Sequence, residues 1–123
     1  MNHSVFRGNL VLPDQILQDG CLVTGDGLIG YVGPWDTCPV EEQQAVRHIK
    51  DGWIAPGYVD IHVHGGENAD YMDGTTEAVR IANRIHARHG TTTLFPTTTT
   101  GTPDQLDRML HACLSVQENH QIS

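Results

Sequence analysis

The residues best suited to chemistry in this chain are two histidines separated by one valine, His62-Val63-His64. Neutral imidazole is a common ligand for divalent metals. On an extended strand alternate side chains leave the same face, and a rise near 3.3 Å per residue sets the two Cα atoms ~6.6 Å apart. Two imidazoles leaning together from that separation can meet at one ion, with zinc–nitrogen bonds of ~2.0–2.1 Å. Asp60 falls on the same face one step earlier, where it could orient His62 or simply fill a polar layer. A His-x-His taken alone more often marks surface or core polarity than a metal site, so its surroundings decide.

Other candidates have plainer explanations. Glu67, Asp70 and Asp73 follow the histidines in a glycine-rich stretch and read as solvated loop carboxylates, since charged groups are seldom buried. His86 and His89 lie three apart near the end of a predicted helix, where basic side chains suit the helix dipole. The threonine run Thr97 to Thr100 offers hydroxyls to a substrate, but turn and capping roles explain it equally well. His3, His48, His111 and His120 have no recognisable partners. Cys21, Cys38 and Cys113 are odd in number and widely spaced, which suits reduced thiols of a cytoplasmic protein better than a disulfide scaffold. Small buried hydrophobes are the expected role for all three.

The elements that would position His62 and His64 divide the chain in two. Residues 1–54 read as a partial β domain. Val5 to Leu12 is a predicted strand, Asp19-Gly20 a turn, Cys21-Leu22-Val23 a second apolar run, and Asp26-Gly27 a tight hairpin turn into Leu28–Gly33. Glu41 to Arg47 is polar and is assigned to no element. Three short strands with one apolar side cannot close a core, so this part needs strands from elsewhere.

After Asp51-Gly52 the pattern becomes strand, helix, strand, helix over residues 55–123. Tyr58 to His64 has period two, with Tyr58, Asp60, His62 and His64 on one face and Val59, Ile61 and Val63 on the other. A glycine-rich loop, Gly65 to about Gly74, leads to a helix capped by Thr75 or Thr76, which carries Val79, Ile81, Ala82 and Ile85 and stops at Gly90. Thr91–Phe95 is a second strand, ended by Pro96. Thr102, Pro103 and Gln105 form a capping box for a second helix with its apolar stripe at Leu106, Met109, Leu110, Cys113 and Leu114.

Two strand–helix units in series predict a parallel pair, and parallel sheets are normally larger and covered on both faces. A complete (β/α)8 barrel takes ~250 residues, about four times what Gly57 to Ser123 supplies, so the chain reads as truncated. His64, last on its strand, would then sit at the carboxyl end, where parallel barrels keep their active sites.

The run Pro56-Gly57-Tyr58-Val59-Asp60-Ile61-His62-Val63-His64 resembles the first barrel strand of the amidohydrolase superfamily, whose paired histidines bind an active-site metal. Within that superfamily, His62–Gly66 followed by Ala69-Asp70-Tyr71-Met72-Asp73, and then Gly90–Thr97, is similar to the N-acetylhexosamine-6-phosphate deacetylases. The resemblance implies an α/β fold, the opening of a metal-dependent (β/α)8 barrel preceded by part of a small β-sandwich domain. It implies a divalent metal at His62 and His64, zinc by preference, with iron or another divalent ion as alternatives. It also implies hydrolytic removal of an acetyl group from an amino-sugar phosphate, and a homo-oligomer for the complete enzyme. The catalytic residues are expected beyond residue 123 and the sugar-phosphate contacts mainly there, so the isolated chain is expected to be inactive. The alternatives are a cyclic-amide or isoaspartyl-peptide hydrolase of the same superfamily, and a non-catalytic truncated binding protein.

Composition is compatible with this reading. Of 123 residues, 38% are hydrophobic and 18% charged, which marks a globular chain. A formal charge of −8 argues against nucleic acid and anionic membranes as partners, because both reward clustered Lys and Arg. Neither a signal peptide nor an apolar run of the ~20 residues needed to span a bilayer is evident, so a cytoplasmic enzyme is expected.

Overall fold

Asp26 and Gly27 both take positive φ, 51° and 76°, the backbone demanded by the two-residue hairpin turn that matches strand twist. They join β2 (Ile16–Gly25) to β3 (Leu28–Pro34). The computed structural model describes residues 3–39 and 45–120, and the chain divides into two compact units, Met1–Pro56 and Gly57–Ser123. It is a mixed α/β protein. Among the described residues, no helix is long and apolar enough to cross a membrane.

The first unit is a four-stranded sheet in the order β3-β2-β1-β4, with β1 at His3–Val11 and β4 at Val46–Ile54. β1 runs antiparallel to β2 and parallel to β4. One sequence expectation fails at β2. Asp19-Gly20 is no chain reversal, for it lies inside β2. The reversal comes earlier, where the Leu12 N–H donates to the Gln15 carbonyl at 2.9 Å. Between the pairs Gly8–Gly20 and Leu10–Leu17, β2 carries one residue more than β1, which is a bulge. Asp19 takes φ 50° in it, and Arg7 clamps its carboxylate with bonds of 2.6 and 2.8 Å. That pairing holds the Asp19 carboxyl below its usual range.

The fourth strand was not foreseen. Asp51-Gly52 lies in a wide irregularity of β4, where register jumps from Arg7–His48 to Asn9–Trp53. The extra residues hid the strand's alternation. Of the polar segment Glu41 to Arg47, residues 41–44 lie outside the described residues.

The cysteine expectation is corrected as well. Cys21 and Cys38 form a disulfide across a separation of 17 residues, because the β2–β3 hairpin and the 3-10 turn Trp35–Thr37 carry Cys38 back beside β2. Cys113 is free and half-buried. Cys21 belongs to the core of this unit with Val5 and Val23, flanked by Tyr31, Trp35 and Val46.

The second unit pairs β5 (Tyr58–Val63) in parallel with β8 (Thr91–Pro96). Helix α1, Thr76–Arg88, starts at Thr75, whose Oγ1 accepts from the Ala78 N–H, and is followed by Gly90 at φ 93°. Helix α2 spans Pro103–His120. Its capping box forms as expected: the Gln105 side chain accepts from the Thr102 N–H at 2.8 Å, and Thr102 Oγ1 from the Gln105 N–H at 3.3 Å.

The glycine-rich loop is more ordered than its composition suggests. Gly65–Gly66 (β6) and Ala69–Asp70 (β7) pair as a small hairpin, with Glu67 and Asn68 at φ 53° and 61° in its turn. A 3-10 turn, Tyr71–Asp73, follows. Tyr71 is fully buried with Val63, Val79, Ala82, Met109, Ala112 and Val116. The buried side of α2 is thus Met109, Ala112 and Val116, whereas Leu110 and Leu114 stay about half exposed. The predicted stripe was rotated because its leucines outweighed a small alanine that fits closer to α1. On β5 the expected apolar face is covered only at Val63, with Val59 and Ile61 exposed at 61% and 75%.

Candidate metal centre at the end of β5

Period-two geometry puts His62 and His64 on one side of the chain, and the structure brings their rings together. The two Nε2 atoms are 3.0 Å apart, with the rings nearly perpendicular. His64 lies just past the last residue of β5, where three contacts hold it. The backbone N–H of Thr97 donates to the Val63 carbonyl at 2.8 Å, and that of Tyr71 donates to the His64 carbonyl at 2.9 Å. The His64 Nδ1 lies 3.0 Å from the Thr97 carbonyl oxygen.

This last contact sets the chemistry of the ring. A carbonyl oxygen only accepts, so Nδ1 carries the proton and Nε2 keeps its lone pair. That lone pair faces His62. A backbone carbonyl on the remote ring nitrogen is the usual device for aiming a metal-binding imidazole.

The residues present fit a divalent ion at two of its positions. With bonds of ~2.05 Å, nitrogens 3.0 Å apart would subtend about 94° at the ion, close to the range of four- to six-coordinate sites. The same spacing also suits a hydrogen bond between neutral rings, His62 Nε2–H to His64 Nε2. Among the described residues there is no group of three or more His, Cys, Asp and Glu side chains placed to hold a metal.

The neighbouring candidates are employed elsewhere. Asp60 Oδ1 accepts from the His62 backbone N–H at 3.1 Å, so it braces the strand. Asp70 accepts from the Met72 N–H, and Asp73 from the Asp70 N–H, which makes both caps of the 3-10 turn. Glu67 is exposed in the hairpin turn. His89 donates from Nδ1 to the Ile85 carbonyl and His86 from Nε2 to the Gly65 carbonyl, so the two do not form a site together. Thr97 Oγ1 donates to the Phe95 carbonyl. His111 bonds within α2 to Asp107, and His48 lies against Trp35. The side chains of His3 and His120 lie outside the described residues.

Sequence reasoning missed the Thr97 carbonyl and Tyr71. The first is backbone, which carries no residue signature. For Tyr71 a signal existed in Asp70-x-x-Asp73-Gly74, a capped turn that drives the intervening ring inward. Its hydroxyl donates to Asn83 Oδ1 at 2.8 Å. Burial, aided by Cys113 and Asp60, pushes this phenol up to about 12, and burial raises the Cys113 thiol too. A recess of about 760 Å3 lies between α1, β8 and α2, and neither histidine lines it.

No protein-family model matches the chain. Among curated relatives, N-acetylglucosamine-6-phosphate deacetylase of Bacillus subtilis (strain 168) is 30% identical over 92 residues, covering 74% of this chain and 23% of that protein. Imidazolonepropionase of Pseudomonas fluorescens (strain Pf0-1) is 29% identical over 94 residues, with the same two shares. The chain therefore spans about a quarter of the length of these relatives. Among solved structures, a mutant N-acetyl-D-glucosamine-6-phosphate deacetylase from Mycobacterium smegmatis, in complex with N-acetyl-D-glucosamine-6-phosphate, superposes with a TM-score of 0.74 at 25% identity. The match covers 92% of this chain and 29% of that one. The chain is homologous to hydrolases of the amidohydrolase superfamily, N-acetylglucosamine-6-phosphate deacetylases among them.

Proposed function

We propose that this chain is part of a metal-dependent hydrolase that removes the acetyl group from N-acetylglucosamine 6-phosphate. The observation that carries the reading is the pair of Nε2 atoms 3.0 Å apart, with His64 held in one tautomer by the Thr97 carbonyl. In this reading residues 55–123 are the first two β/α units of a (β/α)8 barrel, and residues 1–54 are part of a small β-sandwich domain. The exposed Val59 and Ile61 support this, because a parallel sheet is stable when covered on both faces.

His62 and His64 would hold the ion, zinc by preference. Bound there, such an ion lowers the pKa of a coordinated water and polarises the acyl carbonyl. This chain's own work is positional. The Thr97 carbonyl fixes which His64 nitrogen faces the ion, Tyr71 fixes the His64 backbone, and Asp60 braces the backbone of His62. Two imidazoles fill only half of a tetrahedral shell, so the 123-residue chain alone is expected to bind zinc weakly and to release no acetate.

The test is acetate release from N-acetylglucosamine 6-phosphate by the complete reading frame that contains these residues, with zinc present. His62→Ala and His64→Ala should each lower kcat/KM by at least ~100-fold, in line with removal of a direct ligand. A second reading, hydrolysis of a cyclic amide, is favoured by the similarity to imidazolonepropionase. Turnover of an imidazolone with none of the sugar phosphate would replace the first reading by the second.

A further inference from the structure

We infer that His86 is a positioning residue for the His62/His64 pair, acting through the carbonyl of Gly65; the inference rests on the metal reading proposed above. The problem it addresses lies in the two residues after His64. Gly65 and Gly66 have the widest backbone freedom of any residue type, and they adjoin a side chain whose aim must be held within a fraction of an ångström. Neither glycine can be stiffened by a side chain. A Cβ on Gly65 would collide with the Ala69 carbonyl oxygen and stand 2.9 Å from the Asp70 Cα, both backbone. A Cβ on Gly66 would lie 2.7 Å from Ile85 Cγ2 and 3.2 Å from His86 Nε2.

The constraint has to come from outside the segment, and His86 supplies it. From the last turn of α1 its Nε2–H donates to the Gly65 carbonyl at 3.0 Å in a part-buried setting. The hairpin pairing of Gly65 with Asp70 holds the other side, and the Tyr71 N–H closes on the His64 carbonyl. Helix α1 is itself anchored in the core through Val79 and Ala82. The imidazole therefore ties helix α1 to the Gly65 peptide, directly after His64. It touches no ligand and no reacting atom. His89, in the same turn, points its proton at its own helix and shares none of this role.

Three variants of the full chain test this, with zinc alone as probe and amide hydrogen exchange as a second readout. His86→Leu should weaken zinc binding about tenfold, the lower end of what loss of an outer partner costs. It should also speed exchange of the Tyr71 amide, bonded to the His64 carbonyl, about tenfold, while the Val79 amide in α1 stays unchanged. His86→Gln, whose amide can donate to the same carbonyl, should restore both. Parent-like zinc affinity and Tyr71 exchange in His86→Leu would overturn the inference, as would equal acceleration of every amide, which marks a general structural role. His62→Ala separates the two levels. If it binds zinc as well as the parent chain, the metal reading itself fails, and with it the purpose assigned to His86.

Discussion

The orientation of the His64 ring can be tested without any metal, and the structure sets the size of the effect. Changing His64 from the Nδ1–H to the Nε2–H tautomer would break the bond to the Thr97 carbonyl at 3.0 Å. The contact between the two Nε2 atoms at 3.0 Å survives the change, because His62 can carry its proton on Nδ1 and accept from His64 Nε2–H instead. Only the Thr97 bond distinguishes the two forms, and one such bond contributes about 1 kcal/mol net. At about 1.4 kcal/mol per tenfold, that is a population ratio of roughly 5 to 1. A long-range proton–nitrogen correlation spectrum of metal-free protein in alkaline buffer should therefore show His64 protonated at Nδ1 and His62 at Nε2. Added zinc should remove the His62 Nε2 proton and leave that of His64 Nδ1 in place. A His64 signal dominated by Nε2–H, or an even mixture, would show that Thr97 does not hold the ring. The half-shell built on it would then have no fixed donor.

Three further perturbations probe the two units. Tyr71, with its phenol at about 12 when folded against ~10 in the unfolded chain, binds its proton more tightly in the native state. Its stabilising contribution is fully present below pH ~10 and lost as pH rises toward 12, on the order of 2 kcal/mol; urea midpoints against pH should show this loss, and Tyr71→Phe should lack it. Reducing Cys21–Cys38, which closes a separation of 17 residues, should destabilise the first unit by about 3 kcal/mol. Three reactive thiols in native, air-oxidised protein would refute the pairing. Thr102→Ala removes the Oγ1 acceptor of the α2 capping box and should cost about 1 kcal/mol in thermal unfolding followed by circular dichroism, with Thr102→Ser recovering most of it.

What could be read from residues alone was whatever depends on local backbone period and on polar caps. Alternation from Tyr58 to His64 was enough to put both imidazoles on one face, because strand geometry has period two whatever lies around it. The caps at Thr75 and Thr102 and the Asp26-Gly27 turn were equally legible, since each satisfies its own backbone within four residues. Other features required distant parts of the chain to meet. Asp19 looked like a turn because its φ preference is local, but its place in a bulge was decided by Arg7 on the neighbouring strand. Cys21 and Cys38 became partners only through the hairpin between them. The buried side of α2 was chosen by packing against α1 and Tyr71, which favoured Ala112 over Leu110. The aim of His64 comes from a carbonyl 33 residues away, and a carbonyl is the same in every residue. Sequence thus determined which side chains could act and on which face, whereas only the folded chain decided what each of them leans on.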